Sequence, residues 1–110
     1  MVSEVEESVK GYRNKLEITR DILLAAGNEG SRKTHIMYGA NLSYKLLKRY
    51  LEAVSKAGLI ERNGESFYEI TEEGKLFLKL YSDYEEKRKE IREGINDLKN
   101  GRERLEKMLF

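Results

Sequence analysis

Residues 31–75 decide the fold of this chain, and they read SRKTHIMYGANLSYKLLKRYLEAVSKAGLIERNGESFYEITEEGK. The stretch predicts two helices joined by a tight turn. The first helix covers about 32–38, with Ser31 as its N-cap, because a serine hydroxyl satisfies a free amide at a helix start. The second helix runs from the N-cap Ser43 to Ala57.

A β-hairpin follows the second helix. Asn63 and Gly64 separate two short β-prone runs, at 59–62 and 65–70. Asn-Gly is the strongest short hairpin signal, because a type I′ turn needs two residues with positive φ. We therefore predict a type I′ hairpin here, followed by a long helix that begins after Thr71.

The second helix of this stretch has an apolar side and a charged side. Six basic residues against one acidic residue give 31–60 a charge of +5, although the whole chain carries only +1. One face is therefore predicted to pack and the other to meet a polyanion. The apolar stripe is Leu46, Leu47, Tyr50, Leu51 and Val54, and the opposite face holds Lys45, Lys48, Arg49, Glu52 and Lys56. We also expect Tyr50, Phe67, Tyr68 and Phe77 in the core rather than as platforms for stacked bases.

The rest of the chain adds two helices and an arm. Residues 1–12 are predicted to be an acidic N-terminal arm, either a frayed helix or disordered, and Asn14 is predicted to cap the first helix, with Glu17 three residues later. From 72 to about 109 a helix of roughly 57 Å is predicted. Its apolar residues alternate at spacings of four and three, which indicates a coiled-coil seam. The seam residues, predicted to form a dimer interface, are Phe77, Tyr81, Tyr84, Ile91, Ile95, Leu98, Leu105 and Leu109.

The seam is imperfect, which leaves two arrangements open. Arg88 and Arg102 occupy seam positions, and Gly94 and Gly101 each cost about 1 kcal/mol of helix propensity. A second copy of the chain would bury the stripe most simply. The alternative is a helix that folds back on its own domain.

Composition argues against catalysis and against a bound cofactor. The chain has no Cys and one His, so a zinc site would depend on carboxylates, which zinc disfavours. No phosphate-binding loop and no pair of carboxylates in an apolar setting is present, so we expect no enzyme, no cofactor, no metal and no small-molecule ligand. No apolar run approaches 18 residues and no signal peptide is recognisable, which predicts a cytoplasmic protein without membrane contact.

Two stretches carry a resemblance to a known family. The first is 33–44 (KTHIMYGANLSY) with Leu46 and Leu47, and the second is Gly58-Leu59-Ile60 with 68–74 (YEITEEG). The chain resembles small archaeal winged-helix DNA-binding proteins that dimerise through a long C-terminal antiparallel coiled coil. The likeness is close over about 15–80 and only general over 81–110.

The resemblance implies a fold and an activity. The fold is mostly α with a small β-hairpin: a winged helix-turn-helix at 13–75, then a long C-terminal helix at 72–110 that forms a two-stranded coiled coil. The implied activity is binding of double-stranded DNA by a homodimer, through the second helix of the motif and the wing, which is the hairpin at 59–70. In that family the activity serves transcriptional regulation or chromatin-like coating, which implies association with the nucleoid.

Residues near the start of the second helix are the candidates for DNA contact, because a winged helix places that end in the major groove. Arg49 is the best candidate for a base contact, since its fork matches guanine O6 and N7. Lys45 and Lys48 are expected on phosphates. Tyr44 could do either, or its ring could cover the helix junction. The full candidate set is Arg32, Lys33, Ser43, Tyr44, Lys45, Lys48, Arg49, Arg62 and Asn63.

A second class of function stays open. Winged helices also serve as protein-interaction adaptors that do not touch DNA. Failure to bind any duplex at low salt would favour that class. The acidic residues that would suit it are Glu61, Glu65, Glu69, Glu72 and Glu73.

Overall fold

The computed structural model describes residues 13–64 and 66–110, so the predicted arm at 1–12 lies outside the described residues. Three helices and a three-stranded antiparallel sheet, in the order β1-β3-β2, form the body, and a long helix leaves it. The predicted fold, mostly α with a winged helix-turn-helix and a long C-terminal helix, is confirmed. The elements are α1 (Lys15–Ala26), β1 (Ser31–Arg32), α2 (Lys33–Gly39), α3 (Tyr44–Lys56), β2 (Ile60–Asn63), β3 (Phe67–Ile70) and α4 (Glu72–Leu109).

The core lies where α1, α2 and α3 meet. Ile22, Leu23, Ile36 and Leu47 are fully buried there, and they come from all three helices. As predicted, the Asn14 side chain accepts a hydrogen bond from the Glu17 amide at 2.9 Å and so caps α1. The core therefore fixes α3 from beneath.

The turn between α2 and α3 uses Asn41 where a glycine is usual. Asn41 has φ +53°, and the Leu42 amide donates to the Met37 carbonyl at 3.0 Å, which together close α2 in the Schellman pattern. The prediction that Gly39 ends α2 holds, since it is the last helical residue. Ser43 then caps α3, as predicted, by accepting from the Leu46 amide.

Strand β1 was not predicted, and Ser31 does not cap α2. Its hydroxyl donates instead to the carbonyls of Ala25 and Ala26, at 2.9 and 3.1 Å, and its backbone pairs with Tyr68. The N-cap position falls to Arg32, which makes no side-chain cap bond. A strand of two residues carries no periodic signal, because only the nearby β3 makes it a strand.

The hairpin is present, but the predicted type I′ turn is wrong. Asn63 is the last residue of β2 and pairs with Phe67, so it belongs to the strand and not to the turn. Gly64 has φ +67°, whereas Asn63 keeps a negative φ. The Asn63 side chain donates to Glu69 Oε1 across the hairpin at 2.7 Å, which favours keeping Asn63 in the strand.

The aromatic residues expected in the core divide into two groups. Tyr50, Tyr68 and Phe77 are half-buried and pack against the core cluster. Phe67 contradicts the expectation, since 41% of it is exposed. Its position in β3, opposite β1, turns the ring outward beneath the Arg32 side chain.

The junction between the wing and α4 is tightly built around Thr71 and Gly74. The Thr71 hydroxyl donates to the Gly58 carbonyl at 2.6 Å and accepts from the Gly74 amide at 3.1 Å. A Cβ on Gly74 would overlap the Leu59 carbonyl oxygen and lie 2.6 Å from Ile70 Cγ1. The absent side chain therefore lets α4 start directly against the segment that joins α3 to β2.

The first half of α4 packs on its own domain, and the second half is exposed. Tyr81 and Arg88 are each only 5% exposed. Arg88 pairs with Glu85 and lies 3.9 Å from Glu17 of α1, so it does not interrupt a free seam but ties α4 to α1. From 89 onward every residue of the chain is exposed. No helix among the described residues is long and apolar enough to cross a membrane.

Candidate nucleic-acid interface

Helix α3 has the buried apolar face and the exposed basic face that its sequence predicts. Leu47, Leu51 and Val54 are buried against the core, whereas Lys45, Lys48 and Arg49 are exposed. We call these last three residues the basic ridge. Because the packed side fixes the helix, the ridge is held toward solvent on a rigid element.

The cations of the ridge and of the start of α2 have no carboxylate partner among the described residues, a property that they share with exposed cations of α4 such as Lys89, Arg104 and Lys107. Within 13–64 and 66–110, no acidic side chain forms a salt bridge with the ridge, Arg32 or Lys33. Uncancelled positive charge on one surface attracts a polyanion. The salt bridges between described residues lie elsewhere, and their cations include Arg13, Arg20, Lys75, Arg88 and Arg102.

A groove of about 360 Å³ separates α3 from the wing, and three predicted DNA contacts meet in it. Lys33, Lys48 and Arg62 come from α2, α3 and β2, and all three line the groove. Tyr68 forms part of its wall, and Glu52 adds one acidic group. The groove thus gathers cations that lie far apart in the sequence.

Arg49 lies on the other flank of α3. It lines a shallow depression with Lys15, Tyr50 and Ala53, away from the wing. Lys15, in the first turn of α1, was not predicted as part of the surface. Only the packing of α1 beside α3 brings it there, and no local sequence pattern reports that packing.

Tyr44 and Ser43 stand at the N-terminal end of α3. Tyr44 is 60% exposed, and the Lys33 amino nitrogen lies 5.2 Å from the centre of its ring. The ring therefore meets solvent and also contacts the start of α2. The Ser43 oxygen accepts the cap hydrogen bond, while its hydroxyl proton can still be donated to a ligand.

The wing offers less than the ridge. The Asn63 side-chain amide donates a hydrogen bond to Glu69, and Glu61 lies exposed on the same strand as Arg62. Arg32 lies over the Phe67 ring, with its guanidinium carbon 5.6 Å from the ring centre. Phe67 was missed as a surface residue because its aromatic, β-prone context resembles a core strand.

Arg13 is a second residue that the sequence did not single out. Its guanidinium donates to the carbonyls of Ala40 and Asn41, at 2.6 and 2.9 Å, and to Asp21 at 2.9 Å. These bonds hold the turn that precedes α3. A lone arginine before a helix gives no sequence signal for such a contact.

The predicted seam of α4 divides at Arg88. Tyr81 is buried within its own chain and Phe77 is half-buried, so intrachain packing leaves them little surface for a partner. The later seam residues stay open: Ile95 is 57% and Leu98 is 76% exposed. The other exposed seam residues are Tyr84, Ile91, Leu105 and Leu109. Among the described residues no cluster of acidic, His or Cys side chains suits a metal ion.

Two uncharacterized proteins of Methanocaldococcus jannaschii are similar to this chain. One is 39% identical over 70 residues, which are 64% of this chain and 68% of the relative. The other is 36% identical over 66 residues, which are 60% of this chain but 31% of that relative, so the chain spans about a third of it.

The fold is also similar to a solved structure. The crystal structure of Sso10a-2, a DNA-binding protein from Sulfolobus solfataricus, superposes with a TM-score of 0.71 at 28% identity, covering 80% of this chain and 95% of the other. A family model described as winged helix-turn-helix matches residues 12–89, well over half of the chain. The chain therefore belongs to the winged helix-turn-helix family, in a form that has archaeal relatives and a long C-terminal helix.

Proposed function

We propose that this protein binds double-stranded DNA through α3 and the wing. The observation that carries the proposal is the set of cations without carboxylate partners on the ridge and at the start of α2. A DNA-binding structural relative with the same architecture supports it. In this account α3 enters the major groove, and the wing lies on the adjacent backbone.

The three-cation groove suggests how contacts are divided. Lys48 and Lys33 meet phosphates near the wing, and Arg62 approaches the same backbone from the other side of the groove. Arg49 faces the opposite flank, where its fork can reach a base edge. Phosphate contacts set register and orientation, so specificity would depend mainly on Arg49 and Tyr44.

The active form is proposed to be a homodimer formed through α4. An isolated helix whose distal apolar residues are exposed gains stability by pairing, and the four-three spacing of the seam fits a coiled coil. Intrachain packing of Tyr81 and Arg88 confines the continuous exposed seam to Ile91 and the apolar residues beyond it. The paired α4 helices, which we call the rod, would join two winged helix-turn-helix domains that bind DNA together. Such a dimer would act as a regulator or a chromatin-associated protein of the nucleoid.

Sedimentation velocity at micromolar protein, with and without a 30-base-pair duplex at two salt concentrations, tests both parts. We expect a dimer alone and a complex that weakens as salt rises, since bound phosphates release counterions. A monomer would contradict the proposed dimerisation through α4. A dimer that binds no duplex at low salt would favour a protein-interaction adaptor.

Competition between a candidate operator and random DNA separates the two DNA-binding roles. A site-specific regulator prefers its operator by roughly 10³-fold or more. A sequence-tolerant architectural protein coats both duplexes with similar affinity. The ratio of the two affinities therefore distinguishes a regulator from an architectural protein, and both roles use the same proposed DNA-binding surface.

A further inference from the structure

Phe67 is an exposed aromatic side chain whose ring contacts the Arg32 side chain. Residues 32 and 67 are direct partners in the pairing of β1 with β3, and the Arg32 guanidinium lies 5.6 Å from the Phe67 ring centre. Phe67 is 41% exposed and has no polar side-chain atom that could bind a ligand by hydrogen bonds. Core packing therefore does not account for the residue.

An aromatic ring restrains a cation without neutralising it. A carboxylate partner would also hold Arg32 in place, but it would cancel the charge that a phosphate must meet. A ring attracts the guanidinium through its quadrupole and leaves the full positive charge in place. Among the described residues Arg32 forms no salt bridge that would cancel its charge.

A similar arrangement holds the neighbouring cation. The Lys33 amino nitrogen lies 5.2 Å from the Tyr44 ring centre, and Lys33 lines the groove between α3 and the wing. Consecutive cations at the start of α2 are thus each held by an aromatic ring, one on the wing and one on α3. Long side chains held in advance lose less conformational freedom when they bind.

We propose that Phe67 is a positioning residue for duplex DNA, whose ring holds the Arg32 guanidinium in place at the start of α2 without neutralising its charge. This inference rests on the proposed function. Phe67 acts through Arg32 and does not itself contact DNA. Its effect on affinity therefore exists only while Arg32 is present.

A double-mutant cycle in the full chain tests the role. The variants are Phe67→Leu, Arg32→Ala, the two combined, and Phe67→Tyr, which keeps the ring. Affinity for a fluorescent random-sequence 30-base-pair duplex is measured by anisotropy over a range of salt, and thermal unfolding is recorded for each variant. Phe67→Leu should weaken binding about two- to fivefold, the range of an exposed cation–aromatic contact.

The coupling between the two sites decides the outcome. We expect Arg32→Ala to weaken binding and lower the salt slope by about 0.9, the value for one phosphate contact. Phe67→Leu should then cost nothing further in that background, and Phe67→Tyr should bind like the parent. A purely structural loss would appear equally in both backgrounds.

Three results overturn the inference. The positioning role fails if Phe67→Leu binds like the parent, or if it loses the same factor with and without Arg32. It also fails if Arg32→Ala leaves affinity and salt slope unchanged. A parent protein that binds no duplex at low salt overturns the proposed function itself, and the role of Phe67 with it.

Discussion

At the scale of single residues, basic side chains of this protein fall into two kinds. Some form salt bridges within a helix: Arg20 pairs with Asp21 in α1, and Arg88 pairs with Glu85 in α4. Others, such as Lys45 and Lys48, stand exposed on α3 without a carboxylate partner among the described residues. The first kind contributes to structure, and those of the second kind that lie on α3 and at the start of α2 create the field that a phosphate backbone would meet.

Replacing Lys48 by alanine tests one predicted phosphate contact. Affinity should fall on all duplex sequences, and the slope of log affinity against log salt should drop by about 0.9. Anisotropy titrations at several salt concentrations measure both quantities. Lys107→Ala, an exposed lysine on the outward side of α4, is the control and should leave the slope unchanged. A Lys48→Ala slope equal to that of the parent would remove Lys48 from the interface.

Tyr81 makes stability depend on pH in the alkaline range. Burial of the phenol, aided by the nearby Glu85 carboxylate, raises the pKa of Tyr81 to about 12 from the ordinary value of 10.0. The unfolded chain therefore loses this proton at lower pH than the folded chain. The stability that Tyr81 contributes is complete below pH 10 and is lost as the pH rises from about 10 toward 12.

Denaturant unfolding of the parent and of Tyr81→Phe at pH 8 to 11.5 measures this effect. Lysines also titrate in that range, so the difference between the two proteins is the relevant quantity. The parent should lose more stability than Tyr81→Phe as the pH rises. Parallel curves for the two proteins would show that the Tyr81 phenol titrates normally.

At the scale of elements, the sequence predicts helices, which have a periodic pattern and local caps, but it does not predict elements that form only through tertiary contacts. The helices and the two faces of α3 follow from periodicity and from caps such as Asn14 and Ser43, whose hydrogen bonds are local. Strand β1 has two residues and exists only because β3 lies beside it. The Asn63 side chain donates a hydrogen bond to Glu69 across the hairpin, and the Asn-Gly pattern does not predict that contact.

The candidate interface follows the same division. Lys45, Lys48 and Arg49 could be assigned to an exposed face from their spacing alone. The approach of Lys33 and Arg62 to one groove depends on how α2, α3 and the wing pack together. The outward ring of Phe67 likewise depends on strand pairing, and a single chain of letters does not reveal it.

Replacement by alanine is predicted to have opposite effects at two glycines of α4, because only Gly74 lies at the tight junction with the wing. Gly74→Ala places a Cβ against the Leu59 carbonyl and Ile70, which should destabilise the protein by about 1–3 kcal/mol. Nothing lies within 4 Å of a Cβ at Gly94, so Gly94→Ala should stabilise it by about 0.5–1 kcal/mol through helix propensity. Chemical denaturation compares both with the parent. Equal shifts of the same sign would contradict the close approach at Gly74.

At the scale of the whole molecule, α4 is longer than its own domain can cover. The molecule extends 69 Å along its longest axis and only 26 and 22 Å across, because the distal half of α4 leaves the body. Ile95 and Leu98 are exposed on that half. A second copy of the chain is the proposed cover for them.

Two charges placed in this stripe should separate the proposed dimer. Ile95→Asp combined with Leu98→Asp should give a monomer at micromolar concentration, because paired apolar residues cannot tolerate buried carboxylates. DNA affinity should fall by at least tenfold when two linked heads become one. Asn96→Asp combined with Asn100→Asp, on the outward side of the same turns, adds equal charge and should remain dimeric. Sedimentation velocity distinguishes these results, and a dimeric seam variant would refute pairing through this stripe.

The central claim is that the basic ridge of α3 meets duplex DNA, and reversal of its charge tests that claim most directly. The measurement is the affinity for a 30-base-pair duplex at low salt after Lys45, Lys48 and Arg49 are all replaced by Glu. The control reverses Lys89, Arg104 and Lys107, which are two lysines and one arginine exposed on the rod. We predict that the ridge variant remains folded but loses binding, while the rod variant keeps most of its affinity. A folded ridge variant that binds the duplex as tightly as the rod variant would contradict the account.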